Sequence, residues 1–246
     1  MGVRMVVEEV SADTELRTYF KQQAAGAAVE FLQSGMVIGL GTGSTAIFAT
    51  RRIARFLRDG RMKDVICFAT SKAVWEEART LGIPMRAEEM PRAIDITIDG
   101  ADEIDPDLNL IKGGGGALLR EKVVAQASRR VIIVADSSKL SPRLGAKRPL
   151  PVEVLSFGWL SQLHYMESLC AKVEPRVNAD RSPFITDSGN MILDCQFGPI
   201  ANPADLAVTL SARAGIVEHG LFLRMATDAI VAGSDGIRHV VPNEKG

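Results

Sequence analysis

A chain of 246 residues with 46% hydrophobic content can bury a substantial core, which excludes disorder as its main state. A formal net charge of −1 with mixed signs offers no broad basic field, so nucleic acid is not an expected partner and an anionic ligand must be held by local groups. Cys67, Cys170 and Cys195 show neither CxxC nor Cys/His spacing, which argues against a zinc site or a disulfide framework and fits a reduced cytoplasm, and no segment reaches the apolar length of a membrane span.

The opening stretch, "MGVRMVVEEVSADTE", lacks a long apolar core and carries Val6 where a myristoylation signal wants Ser or Thr. Residues 14 to 33 then place Leu16, Phe20, Ala24, Ala27 and Phe31 at helical spacing, predicting an amphipathic first helix. "MVIGLG" reads as a buried strand running into "GTGSTAIFATRRIARFL", a glycine-rich turn that opens a helix with Ile47, Ile53, Phe56 and Leu57 inward. "DVICFATS" is the next strand, "AVWEEARTLG" a helix stopped by Gly82, and "PMRAEE" a short strand. "AIDITID" alternates Ile94, Ile96 and Ile98 with polar residues and ends on Asp99. Beyond a charged, glycine-rich loop, "ALLREKVVAQAS" is helical and "RVIIVAD" a β-branched strand. Strands alternating with helices predict an α/β fold: a Rossmann-like, mostly parallel sheet with helices on both faces.

Near Pro149 the pattern changes. "LPVEVL" reads as a strand, "GWLSQLHYMESLCAK" as a helix, "PFITDSGNMILDCQF" as two strands around a turn, and Asn202 before Pro203 starts "PADLAVTLSAR". These make a smaller inserted α+β domain of about seventy residues. "GLFLRMATDAIVAGSDGIRHVV" then returns to the first sheet around a Ser-Asp-Gly turn. The expected domains are 1–148 with 221–246, and 149–220.

Three loops could carry chemistry. Gly39, Gly41 and Gly43 stand with Thr42, Ser44 and Thr45, and Gly41 to Ala46 matches the loose dinucleotide pattern. That reading requires an acid at the end of the second strand, but "VICFATS" ends in Thr70 and Ser71, and Asp64 lies at the wrong end. A hydroxyl-rich loop opening a helix suits one phosphate instead, through backbone N–H groups, helix dipole and hydroxyls; an ordinary capped turn is the alternative.

The second loop follows Asp99, which should emerge at the carboxyl edge of the sheet, where open α/β sheets hold ligands. Asp102 shares that position, whereas Glu103, Asp105 and Asp107 read as turn formers and solvated charges. Lys112 and the string Gly113, Gly114, Gly115 and Gly116 could neutralise an oxyanion with an ammonium and unshielded N–H groups. On a helical wheel Glu121 falls between Val124 and the pair Leu118 and Ala125, so burial should raise its pKa while Lys112 opposes, as suits a general base. A solvated first-turn glutamate is the alternative. The third loop, "VADSSKL", ends a strand at Asp136 and could add Lys139 to the same edge. His164, His219 and His239 are too dispersed for a relay or a metal site.

"GLGTGST", "DGADEID", "KGGGGALLREK", "VADSSKL", "PLPVEVLSFGW" and "FITDSGNMILDC" occur in one order, and from about Leu16 to Val241 the chain resembles the type A ribose-5-phosphate isomerases. The resemblance implies interconversion of ribose 5-phosphate and ribulose 5-phosphate through an enediolate, without a metal or organic cofactor, by a cytoplasmic homodimer or homotetramer. It implies Glu121 as the base, and Asp99 and Asp102 as aids to ring opening and proton exchange. Lys112, with the amides of Gly113, Gly114 and Gly115, would hold the enediolate oxygen. Thr42, Gly43, Ser44 and Thr45 would bind phosphate with Lys21 and Lys139. Val74 stands where relatives often carry a hydroxyl, and the first dozen residues look like a nonessential extension. A sugar-phosphate sensor without turnover, or a deaminase or lactonase on a related sheet, are the rival readings.

Overall fold

The computed structural model describes residues 2–86 and 93–242, as backbone alone up to residue 12. In chain order the first unit contains α1 (Gly2–Val29), β1 (Val37–Leu40), α2 (Ala46–Arg58), β2 (Ile66–Ala69), α3 (Lys72–Thr80), β3 (Ile94–Asp99), β4 (Glu103–Ile104), β5 (Leu110–Ile111), α4 (Leu118–Gln126) and β6 (Ser128–Asp136). There follow β7 (Leu150–Val154), α5 (Trp159–Glu167), β8 (Lys172–Pro175), β9 (Met191–Gln196), α6 (Pro203–Ser211) and β10 (Ile216–His219). The chain closes with β11 (Leu221–Phe222), β12 (Asp228–Gly233) and β13 (Gly236–Val240).

The central sheet has the order β13-β12-β6-β3-β1-β2. Every pairing in it is parallel except the β12–β13 hairpin. The β-branched runs of β3 and β6 are buried on both faces, as a parallel sheet covered by helices requires. One core lies under α1, α2 and α3; a second lies on the opposite face around Leu118, Ile133 and Phe222. A four-stranded antiparallel sheet, β10-β7-β9-β8, has its own core under α5 and α6, and β11-β5-β4 form a small third sheet. Asn202 starts α6 by accepting from the Asp205 amide at 3.3 Å.

Three local expectations change. Leu16 is 50% exposed, while Ala24 is buried and Phe20, Ala27 and Phe31 pack against the core as expected; Ala25, Ala28 and Val29 are buried with them, small residues that let α1 lie close on β6 and β12. The strand partner of β9 is β8 rather than residues 183–186, which make one isolated bridge, Pro183 to Val177, and a turn closed by Thr186 and Asn190. Pro183 has no N–H to give to a ladder, whereas Lys172, read from sequence as the end of a helix, and residues 173–175, assigned to no element, present an alternating edge. In "PMRAEE", Met85 forms a single parallel bridge with Cys67, and residues 87–89 lie outside the described residues.

Candidate active site

β1 and β3 are parallel neighbours in register, Leu40 beside Ile98, so their carboxyl ends deliver the Gly41–Thr45 loop and Asp99 side by side. The chain leaves β1 for β2 on one side and β3 leads to β6 on the other, the crevice where such sheets bind ligands. Asp99 is 2% exposed, and its Oδ1 accepts from the amides of Gly100 at 2.7 Å and Thr42 at 3.1 Å. Only glycine fits at position 41, because a Cβ there would stand 2.3 Å from Asp99 Oδ1.

Lys112 follows β5, anchored by its own N–H to Gly220 O at 2.9 Å. Its Nζ reaches Gly100 O at 2.6 Å, Asp99 Oδ2 at 3.0 Å and Glu121 Oε1 at 3.2 Å. Glu121 arrives from the first turn of α4, nearly fully buried; its Oε2 is buried with no hydrogen-bond partner. The structure thus gathers Asp99, Lys112 and Glu121 from three separate elements: Lys112 and Glu121 line one cleft, with Asp102 at its rim, and Asp99 joins it through Lys112. Burial alone would lower the Lys112 pKa, but the carboxylates of Asp99 and Glu121 outweigh it and raise it above its ordinary value. Burial pushes Glu121 up to about 8, with Lys112 opposing and Asp99 adding to the rise. Burial also lifts Asp99, against Lys112 and the two amides. With three donors to Glu121's one, Asp99 is the better-held anion of the two.

The glycine string bends at Gly113, whose φ of +104° favours glycine. The Gly114 N–H donates to Asp102 Oδ2 at 2.7 Å, so this amide faces Asp102 rather than open space. Gly115 lines the cleft. Glu103 is not a solvated loop charge: it is fully buried in β4 and accepts from the amides of Gly145 at 3.1 Å and Lys147 at 3.2 Å. Asp105 is a turn former as expected, accepting from the amides of Asp107 and Asn109.

At the other end of the cleft lie Thr42, Gly43, Ser44 and Thr45. Thr45 precedes α2 without a side-chain cap, so an ordinary capped turn does not account for its hydroxyl. Lys21 in α1 donates to Ser44 Oγ at 3.1 Å, and Lys139 enters from the 3-10 turn Ser137–Lys139, where burial lowers its pKa, Asp102 opposes, and Arg148 and Lys21 add to the fall. Sequence reasoning left Thr70 and Ser71 aside, yet their hydroxyls meet Thr42 Oγ1 at 2.7 and 2.8 Å. Ser71 also caps α3 through the Val74 amide at 3.2 Å, a backbone contact that leaves the Val74 side chain free to pack in the core. Arg176, missed altogether, reaches the glycine string from beyond β8. His219 is buried beside Lys122, and His239 bonds Asp228 at 2.6 Å, both outside the cleft. No helix among the described residues is long and apolar enough to cross a membrane.

The model of the family "Ribose 5-phosphate isomerase A (phosphoriboisomerase A)" matches residues 66–236. A "Ribose-5-phosphate isomerase A" from Chloroflexus aurantiacus is 54% identical over 236 residues, covering 96% of this chain and 98% of the relative. Among solved structures, ribose 5-phosphate isomerase from Plasmodium falciparum superposes with a TM-score of 0.87 at 39% identity, covering 92% of this chain and 99% of that one. A D-ribose-5-phosphate isomerase in complex with phospho-erythronic acid gives a TM-score of 0.88 at 35% identity, covering 91% and 98%.

Proposed function

The chain belongs to the ribose 5-phosphate isomerase A family, and from that premise we propose that Glu121 is the base with which it interconverts D-ribose 5-phosphate and D-ribulose 5-phosphate. The chain is an aldose–ketose isomerase of the pentose phosphate pathway. In the aldose-to-ketose direction the Glu121 carboxylate takes the proton from C2, and the electron pair moves to the C1 carbonyl oxygen, forming the enediolate. The same carboxyl returns the proton to C1 as the C2 hydroxyl proton passes to the C1 oxygen, leaving a C1 hydroxyl and the C2 ketone. Lys112, held cationic by its two carboxylates, faces the negative oxygen; Asp99 keeps Lys112 in place, and Asp102 at the rim handles hydroxyl protons during ring opening. The Thr42–Thr45 loop, Lys21 and Lys139 take the phosphate, whose binding energy fixes the sugar against the base. A cytoplasmic homodimer or homotetramer belongs to the same reading.

The observation that carries the assignment is the unpartnered Oε2 of a buried glutamate lining the cleft, since a sensor has no need of a desolvated base. Ketose formation from ribose 5-phosphate tests the reaction; a folded chain that forms none sinks it. Glu121→Gln should lower kcat by roughly 10² to 10⁴ with KM changed only a few-fold. Near-normal turnover in that variant would remove the base assignment.

A further inference from the structure

Arg176 follows β8 in the antiparallel sheet, outside the central sheet that carries the acids, the lysine and the phosphate loop. Its guanidinium is held at 2.9 and 2.5 Å by the two carboxylate oxygens of Asp194 on β9, a bidentate grip that fixes the plane of the fork. Nη1 donates to two successive carbonyls of the glycine string, Gly113 O at 2.7 Å and Gly114 O at 3.2 Å. A trans peptide directs its N–H opposite to its C=O. Holding the Gly113 carbonyl therefore turns the Gly114 N–H the other way, where it meets Asp102, and holding the Gly114 carbonyl does the same for the Gly115 N–H. Glycines have no side chains to fix these peptide planes, so the orientation must come from outside the string.

We propose that Arg176 is a positioning residue that sets the direction of the Gly114 and Gly115 amides, so that the Gly114 N–H holds Asp102 at the cleft and the Gly115 N–H points toward the oxygen that gains charge during isomerisation. This rests on the reaction proposed above. The antiparallel sheet then contributes to turnover through a side chain that touches no substrate, and Asp194 is the anchor that makes the guanidinium rigid.

The test compares Arg176→Ala, Arg176→Lys and Asp194→Asn in the full chain. Arg176→Ala should lower kcat ten- to a hundred-fold, with the KM for ribose 5-phosphate and the inhibition constant of inorganic phosphate within three-fold of the parent. Affinity for a phosphorylated aldonic acid, whose carboxylate stands in for the enediolate oxygen, should fall with kcat. Arg176→Lys, which keeps a cation but not the fork, should lie between, and guanidinium ion should restore part of the Arg176→Ala rate. Amide NMR shifts of Gly114 and Gly115 should move in both Arg176 variants and, less, in Asp194→Asn, a readout that survives loss of rate. If Arg176→Ala does not fold, Arg176→Lys and Asp194→Asn carry the same comparison. Folded variants with kcat within two-fold of the parent and unmoved glycine amides overturn the proposal. Absence of ketose formation by the parent would overturn the reaction itself, while the amide shifts would still decide whether Arg176 orients the string.

Discussion

Glu121 can accept a proton only once it has lost its own, and burial beside Asp99 delays that loss to about pH 8. The base form is thus depleted on the acid side, and kcat/KM should fall as pH drops through about 8, with an apparent value shared by the coupled Asp99–Lys112–Glu121 group. Asp99→Asn removes the neighbouring negative charge that helps raise Glu121, so the limb should move to lower pH; an unmoved limb in a pH–rate profile would dissociate the two acids. Lys139→Ala should act on binding, raising KM roughly tenfold with kcat nearly unchanged, since it removes one charge-assisted contact of the proposed phosphate site. Steady-state kinetics separates the two. At this scale the helical wheel foretold Glu121's burial and the strand end foretold Asp99. Glu103 could not be read, because its partners Gly145 and Lys147 lie far along the chain and bond through backbone that leaves no pattern.

Elements that bury one continuous face were legible: β1, β3, β6, α2 and the Asn202 start of α6 lie where periodicity and capping chemistry put them. β8 was not, because Lys172–Pro175 alternates charge with only Val173 and Pro175 and takes its identity from β9. β12 shows how one residue ties elements together. Asp228 at its start accepts from Arg130 on β6 at 2.8 and 2.7 Å, from Thr227 at 2.7 Å, and bonds His239 on β13 at 2.6 Å. Burial alone would raise its pKa, but these partners hold the carboxyl well below the usual carboxylate range. A depressed native pKa contributes stability that is present above the unfolded value of about 3.9 and lost as pH falls further. Asp228→Asn should cost about 1.5 to 3 kcal/mol in urea melts at pH 7, and the gap to the parent should shrink at pH 3. A gap of equal size at both would rule out the charge as its cause.

The cleft is assembled from most of the chain: Lys21 in α1, the loops after β1 and β3, Lys112 after β5, Glu121 in α4, Lys139 after β6, and Arg176 holding the string from the antiparallel sheet. An anion bound at its Thr42–Thr45 end should therefore raise the stability of the whole protein. Inorganic phosphate at about a hundred times its dissociation constant should add about 2.7 kcal/mol, seen as a higher Tm, and Lys139→Ala should need more phosphate for the same rise. The parallel sheet was readable from strand–helix alternation, and the family resemblance rested on short strings in a fixed order. The small third sheet was not readable, because β5 and β11 are two residues each and carry no periodicity of their own.

That small sheet also fixes when the protein can begin to work. β11 pairs Leu221 with Ile111 and Phe222 with Leu110, Gly220 O takes the Lys112 amide, and the Phe222 ring lies 5.5 Å from the Lys112 ammonium and 4.8 Å from that of Lys122. On the ribosome, the Gly41–Thr45 loop and the strand that ends in Asp99 emerge early and have their neighbours at hand. Lys112 lacks its backbone anchor at Gly220 and the Phe222 ring until residues 220–222 leave the exit tunnel, so a chain cut short before them, although it holds Asp99, Asp102, Lys112 and Glu121, should form no ketose.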